Sequence, residues 1–140
     1  MKTRTVVAVV ALLALALAAC GEKDKGEGLK GEQACVQTPA PIADPNFPAG
    51  FPAITDVIWT ASQTAGPTLL VSGYTGDALE DLFKEMKEKF ATGGYAVAKS
   101  EKDPHDAEVN FTSSGYDGQV SLAEECQGRR SVVVRVRPKS

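Results

Sequence analysis

The single histidine is the first residue to test for chemistry, because imidazole can act as a base or bind a metal near neutral pH. His105 stands in the run Lys-Asp-Pro-His-Asp, with Asp103 and Asp106 on either side. Asp-Pro is a turn signal, and adjacent residues seldom converge on one ion without distant partners. We therefore expect His105 to lie in a surface loop, with no metal site and no cofactor.

The motifs that mark common catalytic sites are absent from the sequence. It contains no Gly-x-Ser-x-Gly turn, phosphate-binding loop, His-Glu-x-x-His helix or Cys-x-x-Cys pair. Neighbouring carboxylates such as Glu124-Glu125 and Glu80-Asp81 fit solvated charges better than an acid–base pair. The sequence predicts that the protein is not an enzyme, and catalysis through His105 is the alternative.

Cys20 closes an N-terminal segment with three parts. Lys2 and Arg4 make a positive start, residues 6–17 consist only of Val, Ala and Leu, and two alanines precede the cysteine. The apolar run is shorter than the about 20 residues of a transmembrane helix. A positive start followed by a short apolar run is typical of an export signal, which we assign to residues 1–19.

The run Leu17-Ala18-Ala19-Cys20 resembles the lipobox of bacterial lipoproteins. In that family the Cys thiol receives a diacylglycerol, a dedicated signal peptidase cuts before the Cys, and the new amine is often acylated. The resemblance covers the first twenty residues and implies that Cys20 is lipidated. An ordinary secretory signal, cut after Ala19, is the alternative.

Lipidation of Cys20 would hold the mature chain on a membrane, since each buried methylene contributes about 0.8 kcal/mol. Gly21 follows the cysteine. In diderm bacteria that resemble the enteric model, Asp at that place signals retention in the inner membrane. Because this chain has Gly there instead of Asp, the sequence favours the outer membrane in such an organism. We expect a cell-envelope location: the outer membrane facing the periplasm in a diderm, or the outer face of the plasma membrane in a monoderm.

A flexible tether and a proline-rich segment follow the lipidation site. Residues 20–38 combine four glycines with mixed charges, which is a linker composition. The fourteen residues between Cys20 and Cys35 would span about 20 Å on average. Residues 39–53 contain five prolines, which favour an extended path. We expect Phe47 and Phe51 to pack this segment against the domain, residues 54–140. A proline-rich ligand for another protein is the alternative.

Two cysteines remain if Cys20 is lipidated. An exported chain in an oxidising compartment most simply pairs Cys35 with Cys126. This bridge would tie the end of the tether to the loop before the last strand and contribute about 4–5 kcal/mol. Two free thiols are one alternative. A metal pair is the other, although two cysteines with one distant histidine make a poor site.

The remaining pattern predicts an α+β fold. Residues 77–90 carry an apolar face of helical spacing, with Asp77 and Glu80 as an expected capping box. Short strand patterns occupy residues 55–61, 68–74, 95–99, 107–111, 118–123 and 131–137. We expect a two-layer sandwich, an antiparallel sheet with one helix packed on one face, in the order ββαββββ. This order resembles that of helix-grip domains in topology alone.

The alternation of apolar and polar residues along the strands predicts that one face of the sheet is exposed to water, and we call it the wet face. Arginines on such a face can bind carboxylates, phosphates or lipid head groups, whereas cross-strand pairing, for example of Glu108 with Arg135, is the favoured alternative. Trp59 and Tyr74 are expected in the core, with a contact patch as the alternative. The polar side chains placed on the wet face are Glu108, Asn110, Gln119, Ser121, Arg135 and Arg137, with Arg129 extending the row.

Charge and composition limit the partners. The chain has 15 Lys and Arg against 18 Asp and Glu, a net charge of −3, so it lacks the basic excess of nucleic-acid binders. We expect a non-catalytic module that binds another envelope protein or polymer while its lipid anchor holds the membrane. The alternative is a carrier or sensor for a small ligand or lipid, with a cavity under Leu82, Phe83 and Met86.

Overall fold

The computed structural model describes residues 31–140, so the predicted signal peptide and Cys20 lie outside the described residues. The elements in chain order are β1 (Ile58–Ala65), β2 (Thr68–Thr75), α1 (Leu79–Thr92), β3 (Ala96–Lys102), β4 (Asp106–Thr112), β5 (Tyr116–Cys126) and β6 (Arg129–Pro138). The strands form one six-stranded sheet in the order β1-β2-β6-β5-β4-β3, and all pairs are antiparallel. A sheet with one helix confirms the predicted α+β class.

Strand β6 holds the middle of the sheet, although it is the last strand of the chain. It pairs with β2 on one side and β5 on the other along most of its length. Its run of valines suits this position, because β-branched side chains pack well on a pleated surface. Helix α1 carries the chain from β2 to β3 at the far edge of the sheet.

The inner face of the sheet and one face of α1 enclose the core. Alternate residues of β4, β5 and β6 are buried, as the period of two in a strand requires. Helix α1 buries four positions of its apolar face, Leu79, Leu82, Met86 and Phe90, and partly buries Phe83. The largest fully buried side chains are Phe90, Leu82, Met86, Leu122, Val71, Val109, Val120, Val132 and Val134.

The segment that precedes β1, residues 39–57, packs on the same inner face, and we call it the strap. Phe47 stacks on Phe51 with ring centroids 4.4 Å apart and meets the edge of Trp59 at 5.2 Å. The backbone N–H of Ile42 donates to the Trp59 carbonyl at 2.8 Å, and the Ser62 hydroxyl donates to a strap carbonyl. The strap and α1 therefore cover the inner face together.

A glycine makes room for the ring of Phe111 on the inner face. Gly118 of β5 pairs with Phe111 of β4 on one side and with Val136 of β6 on the other. A Cβ atom at Gly118 would collide with the Phe111 ring and with the Arg135 carbonyl oxygen. The missing side chain lets Phe111 lie flat over β5, where Phe90 stacks on it with centroids 4.0 Å apart.

The start of α1 differs from the prediction. The N-cap is Ala78, which makes no side-chain capping bond, and the Asp77 N–H donates to the Thr75 hydroxyl at 3.2 Å. Glu80 is thus the second helical residue, one position too early for a capping box. Its carboxylate instead pairs with Lys102 at 2.8 Å and Lys84 at 3.4 Å. The predicted Asp77–Glu80 box is wrong.

The first hairpin is also tighter than expected. The strand patterns at residues 55–61 and 68–74 leave six residues between them, but β1 continues to Ala65 and β2 begins at Thr68. Gly66 adopts a φ of 58°, a left-handed conformation that glycine accepts without steric cost. This allows a turn of two residues and extends the pairing of β1 with β2.

We predict that Gly118→Ala destabilises the protein by about 1–3 kcal/mol, because an extra methyl group must displace a packed ring or a strand. The measurement is the free energy of unfolding from urea titration. Gly115→Ala is the matched control, since a Cβ there meets no atom within 4 Å. Equal free energies for the two variants would contradict the proposed role of Gly118.

Candidate functional site

The outer face of the sheet gathers most of the polar residues predicted to be wet. Residues directly opposite each other in β4, β5 and β6 project to the same side. The register aligns two rows across these strands: Asn110, Gln119 and Arg135 in one, and Thr112, Asp117 and Arg137 in the next. The prediction that these strands share a polar face is confirmed.

Gln119 occupies the centre of a hydrogen-bond network on this face. Its Nε2 donates to Glu108 Oε2 at 3.1 Å and to Asn110 Oδ1 at 3.2 Å. Its Oε1 accepts from the Ser121 hydroxyl at 3.2 Å and lies 3.5 Å from Nη1 of Arg135. The expected direct pairing of Glu108 with Arg135 is wrong, because β5 separates β4 from β6 and Gln119 lies between them.

Asp117 in the neighbouring row is already satisfied by neutral and basic partners. The Thr112 hydroxyl donates to its carboxylate, and Lys139 Nζ lies 3.5 Å from the same oxygen. The Thr112 hydrogen bond, helped by the positive charges of Lys139 and Arg137, holds the pKa of Asp117 below its usual value against a smaller effect of desolvation. Asp117 therefore carries its negative charge to a lower pH than an ordinary aspartate.

Arg135 and Arg137 are left without carboxylate partners in residues 31–140, where the arginine ion pairs are those of Arg129 and Arg130. The two free guanidinium groups line a surface cleft of about 340 Å³ that we call the distal cleft. A second cleft, of about 420 Å³, shares Asp117 and Arg137 with it. The polar residues that line the distal cleft are Thr68, Asn110, Asp117, Gln119, Arg135 and Arg137.

Arg129 belongs to a different part of the outer face. It lies six residues before Arg135 on β6, a distance of about 20 Å along an extended strand. Its Nε pairs with Glu125 Oε2 at 3.0 Å, and its guanidinium lies 5.4 Å from the centre of the Tyr74 ring. Arg129 also donates to the Gln37 carbonyl. The structure thus separates Arg129 from the row that it was expected to extend.

The two predicted core aromatics have different surroundings. Trp59 packs against the buried core, as expected. Tyr74 pairs with Ser131 of β6 and contacts Arg129, both on the outer face. The core position predicted for Tyr74 is wrong because Val71, Gly73 and Thr75 are the buried positions of β2, and Tyr74 alternates with them.

The chain enters the domain at the β5–β6 hairpin, and we call this contact the tether junction. Cys35 and Cys126 lie at disulfide distance, with Cα atoms 5.2 Å apart, which matches the predicted pairing. The Gln127 N–H donates to the Gln33 carbonyl at 2.7 Å. Together with the Arg129–Gln37 contact, these bonds attach residues 33–37 to one end of β5 and β6.

His105 lies in the turn between β3 and β4, as predicted, but Glu124 is not the solvated charge that was expected. His105 Nδ1 lies 2.8 Å from Glu124 Oε2, and Arg130 Nη2 lies 3.8 Å from Glu124 Oε1. Nineteen residues separate the histidine from the carboxylate, so no local pattern could reveal the pair. Within residues 31–140, no group of three His, Cys, Asp or Glu side chains is placed to hold a metal ion.

Comparison with protein-family models, curated proteins and solved structures finds no match for this chain. Among residues 31–140, no helix has the length and apolar character that crossing a bilayer requires.

We predict that Thr112→Val raises the pKa of Asp117, because the variant loses the hydrogen bond that contributes most to lowering it. A lowered pKa stabilises the fold above the unfolded-state pKa, and this contribution is lost as the pH falls through the folded-state value. It should therefore disappear at a higher pH in the variant. Carboxyl-carbon NMR titration measures the shift. Ser121→Ala, whose hydroxyl contacts Gln119 instead, should leave the Asp117 pKa unchanged.

We predict that replacing both Cys35 and Cys126 with Ser lowers the free energy of unfolding by about 2–5 kcal/mol. The bridge closes a long loop, with 91 residues of sequence separation, and so restricts the unfolded chain. Denaturant titration with and without reductant provides the test, and the reduced wild type should match the double variant. If oxidised wild type and the variant unfold together, the bridge does not form.

Proposed function

We propose that this chain is a lipid-anchored lipoprotein of the bacterial cell envelope, and that its folded domain is a non-catalytic interaction module. The outer sheet face carries the second part of this proposal. It is open to solvent, polar, and contains two arginines without carboxylate partners in residues 31–140. An exposed arginine with free donors can bind the carboxylate or phosphate of an external ligand.

The sequence supports the proposed location. Residues 1–20 have the composition of an export signal that ends in a lipobox, with Cys20 as the lipidation site. The pairing of Cys35 with Cys126 agrees with an oxidising compartment, where disulfides form and persist. The partners that we propose are the membrane, through the anchor, and another envelope protein or polymer, through the domain.

The surroundings of the candidate catalytic groups favour binding over chemistry. His105 meets the Glu124 carboxylate, and Ser121, the hydroxyl nearest the centre of the polar network, donates to Gln119. In the described part of the chain, neither contact joins a hydroxyl or thiol nucleophile to a base, the arrangement that covalent catalysis requires. We propose no catalytic residue and no cofactor.

The packing between α1 and the sheet supports the interaction module over a carrier of small ligands. Leu82 is 1% exposed, and Met86 and Phe90 are fully buried. Phe83 is partly buried, and the best-formed clefts on residues 31–140 are lined by other side chains. A ligand under α1 would have to separate Phe90 from Phe111. We propose the two-layer sandwich, with α1 and the strap as the second layer, as a closed scaffold for the outer face.

We predict that Cys20→Ser moves the protein from the membrane fraction to the soluble fraction, because the serine hydroxyl does not receive the diacylglycerol. The measurement is fractionation of cells followed by mass analysis of the mature amino terminus. The matched control is the double variant Cys35→Ser and Cys126→Ser, which keeps the lipobox and should stay in the membrane fraction. Retention of the Cys20→Ser protein on membranes would overturn the anchor.

A further inference from the structure

The two arginines of the distal cleft are arranged to meet one anionic group. Arg135 and Arg137 are two residues apart on β6 and project from the same face, with Cα atoms about 7 Å apart. Each guanidinium presents a planar set of donors that matches the two oxygens of a carboxylate or phosphate. Asp117 stands opposite Arg137, and its Oδ1 contacts Thr112 and Lys139, but no ion pair joins it to Arg137 among residues 31–140.

The network around Gln119 orients this site before any ligand arrives. Because Nε2 of Gln119 donates to Glu108 and Asn110, its Oε1 faces Arg135. The Arg135 contact is long, 3.5 Å, so the arginine keeps most of its donors free. The Asn110 amide in turn donates to the Lys99 carbonyl at 2.8 Å, which fixes the polar row to the edge strand β3.

Local charge favours a singly charged ligand. The positive charges of Arg135, Arg137 and Lys139 are partly balanced by Asp117, whose lowered pKa keeps it ionised, and by Glu108 in the next row. A carboxylate suits this balance better than a doubly charged phosphate. Since the two clefts share Arg137, there is room for more than the anion alone.

The distal cleft lies at the end of the sheet opposite the tether junction. The junction is at the β5–β6 hairpin, and Arg135 and Arg137 follow Arg129 by six and eight residues on β6. An extended strand covers about 20–27 Å over this interval. The proposed tether spans about the same distance on average. The cleft therefore lies at the end of the domain farther from the point where the tether enters it.

From this geometry we propose that the distal cleft binds the free carboxylate of a peptide segment carried by an envelope partner, through Arg135 and Arg137. The ligand approaches from the side away from the anchoring bilayer. The assignment deepens the proposed interaction module and relies on it for the orientation, but binding at the cleft does not require the lipid.

The direct test uses the purified full-length mature protein in neutral detergent, with acetyl-alanyl-alanine as the probe and its C-terminal amide as the matched ligand control. NMR signals of the arginine Nε–H groups report the binding. We expect the acid to shift the signals of Arg135 and Arg137 while those of Arg129 and Arg130 stay in place. The amide should shift none of them. Equal shifts from acid and amide would show that the carboxylate is not recognised.

Substitutions make the test specific to the site. Arg135→Gln and Arg137→Gln should each weaken binding of the acid by about tenfold, as expected for a lost charge-assisted hydrogen bond. Gln119→Glu should also weaken it, because the new carboxylate pairs with Arg135. Lys84→Gln removes the same charge from the exposed surface of α1 and should have no effect. Thermal unfolding of each variant checks that it remains folded.

Two further probes separate the possible sources of the anion. Inorganic phosphate that binds more tightly than the acid would overturn the carboxylate assignment. The second probe is binding to phosphatidylglycerol vesicles by the Cys20→Ser protein. If this protein binds the vesicles and the additional change Arg137→Gln abolishes that binding, the cleft recognises a membrane and the proposal is overturned. If the acid binds but the Cys20→Ser protein remains on membranes, carboxylate binding at the cleft is supported and the proposed lipid anchor is overturned. If the acid does not bind although the protein is anchored, only the proposed carboxylate binding at the cleft is overturned.

Discussion

The contact of Phe111 with the sheet beneath it and with Phe90 above it holds the two layers together. Phe111 lies on the bare backbone of Gly118, and Phe90 of α1 stacks on its other side. Tyr95 meets both rings edge-on at 5.5 Å, and Phe51 of the strap meets them at 5.4–5.9 Å. Since aromatic rings bury large areas, this cluster joins helix, sheet and strap at one point.

This cluster explains why the strap belongs to the folded domain. Helix α1 packs against β3, β4 and β5, which leaves the inner side of β1 and β2 to be covered by something else. Phe47 packs there against Trp59 of β1 and stacks on Phe51, which meets Phe90 of α1 and Phe111 of β4. A small domain buries a limited share of its surface, so the strap and the cysteine bridge add stability that one helix cannot supply.

Because the inner face is covered, the outer face is the side of the sheet that is open to solvent, and β6 runs from one end of it to the other. The tether junction lies where β6 begins, and the distal cleft lies near its C-terminal end. Because β6 is hydrogen-bonded on both sides, the distance between attachment and cleft is rigid.

Local patterns in the sequence determined the α+β class, the apolar face of α1 and the side to which Gln119, Arg135 and Arg137 project. Periods of 3.6 and 2 follow from backbone geometry alone, so they can be read without knowing the partners of each element. The number of cysteines likewise indicated the pairing of Cys35 with Cys126, because only these two remain if Cys20 is lipidated. Four of the six polar residues that line the distal cleft, Asn110, Gln119, Arg135 and Arg137, could therefore be named in advance.

Only the tertiary structure decided which of these residues meet. Strand order placed β5 between β4 and β6, so Gln119 separates Glu108 from Arg135. Strand register and the path of the chain placed Arg129 at the tether junction, where it contacts Gln37. A contact between residues nineteen positions apart joined His105 to Glu124. These outcomes depend on how the whole apolar surface is buried, and strand register follows from that global requirement, which no short stretch of sequence encodes.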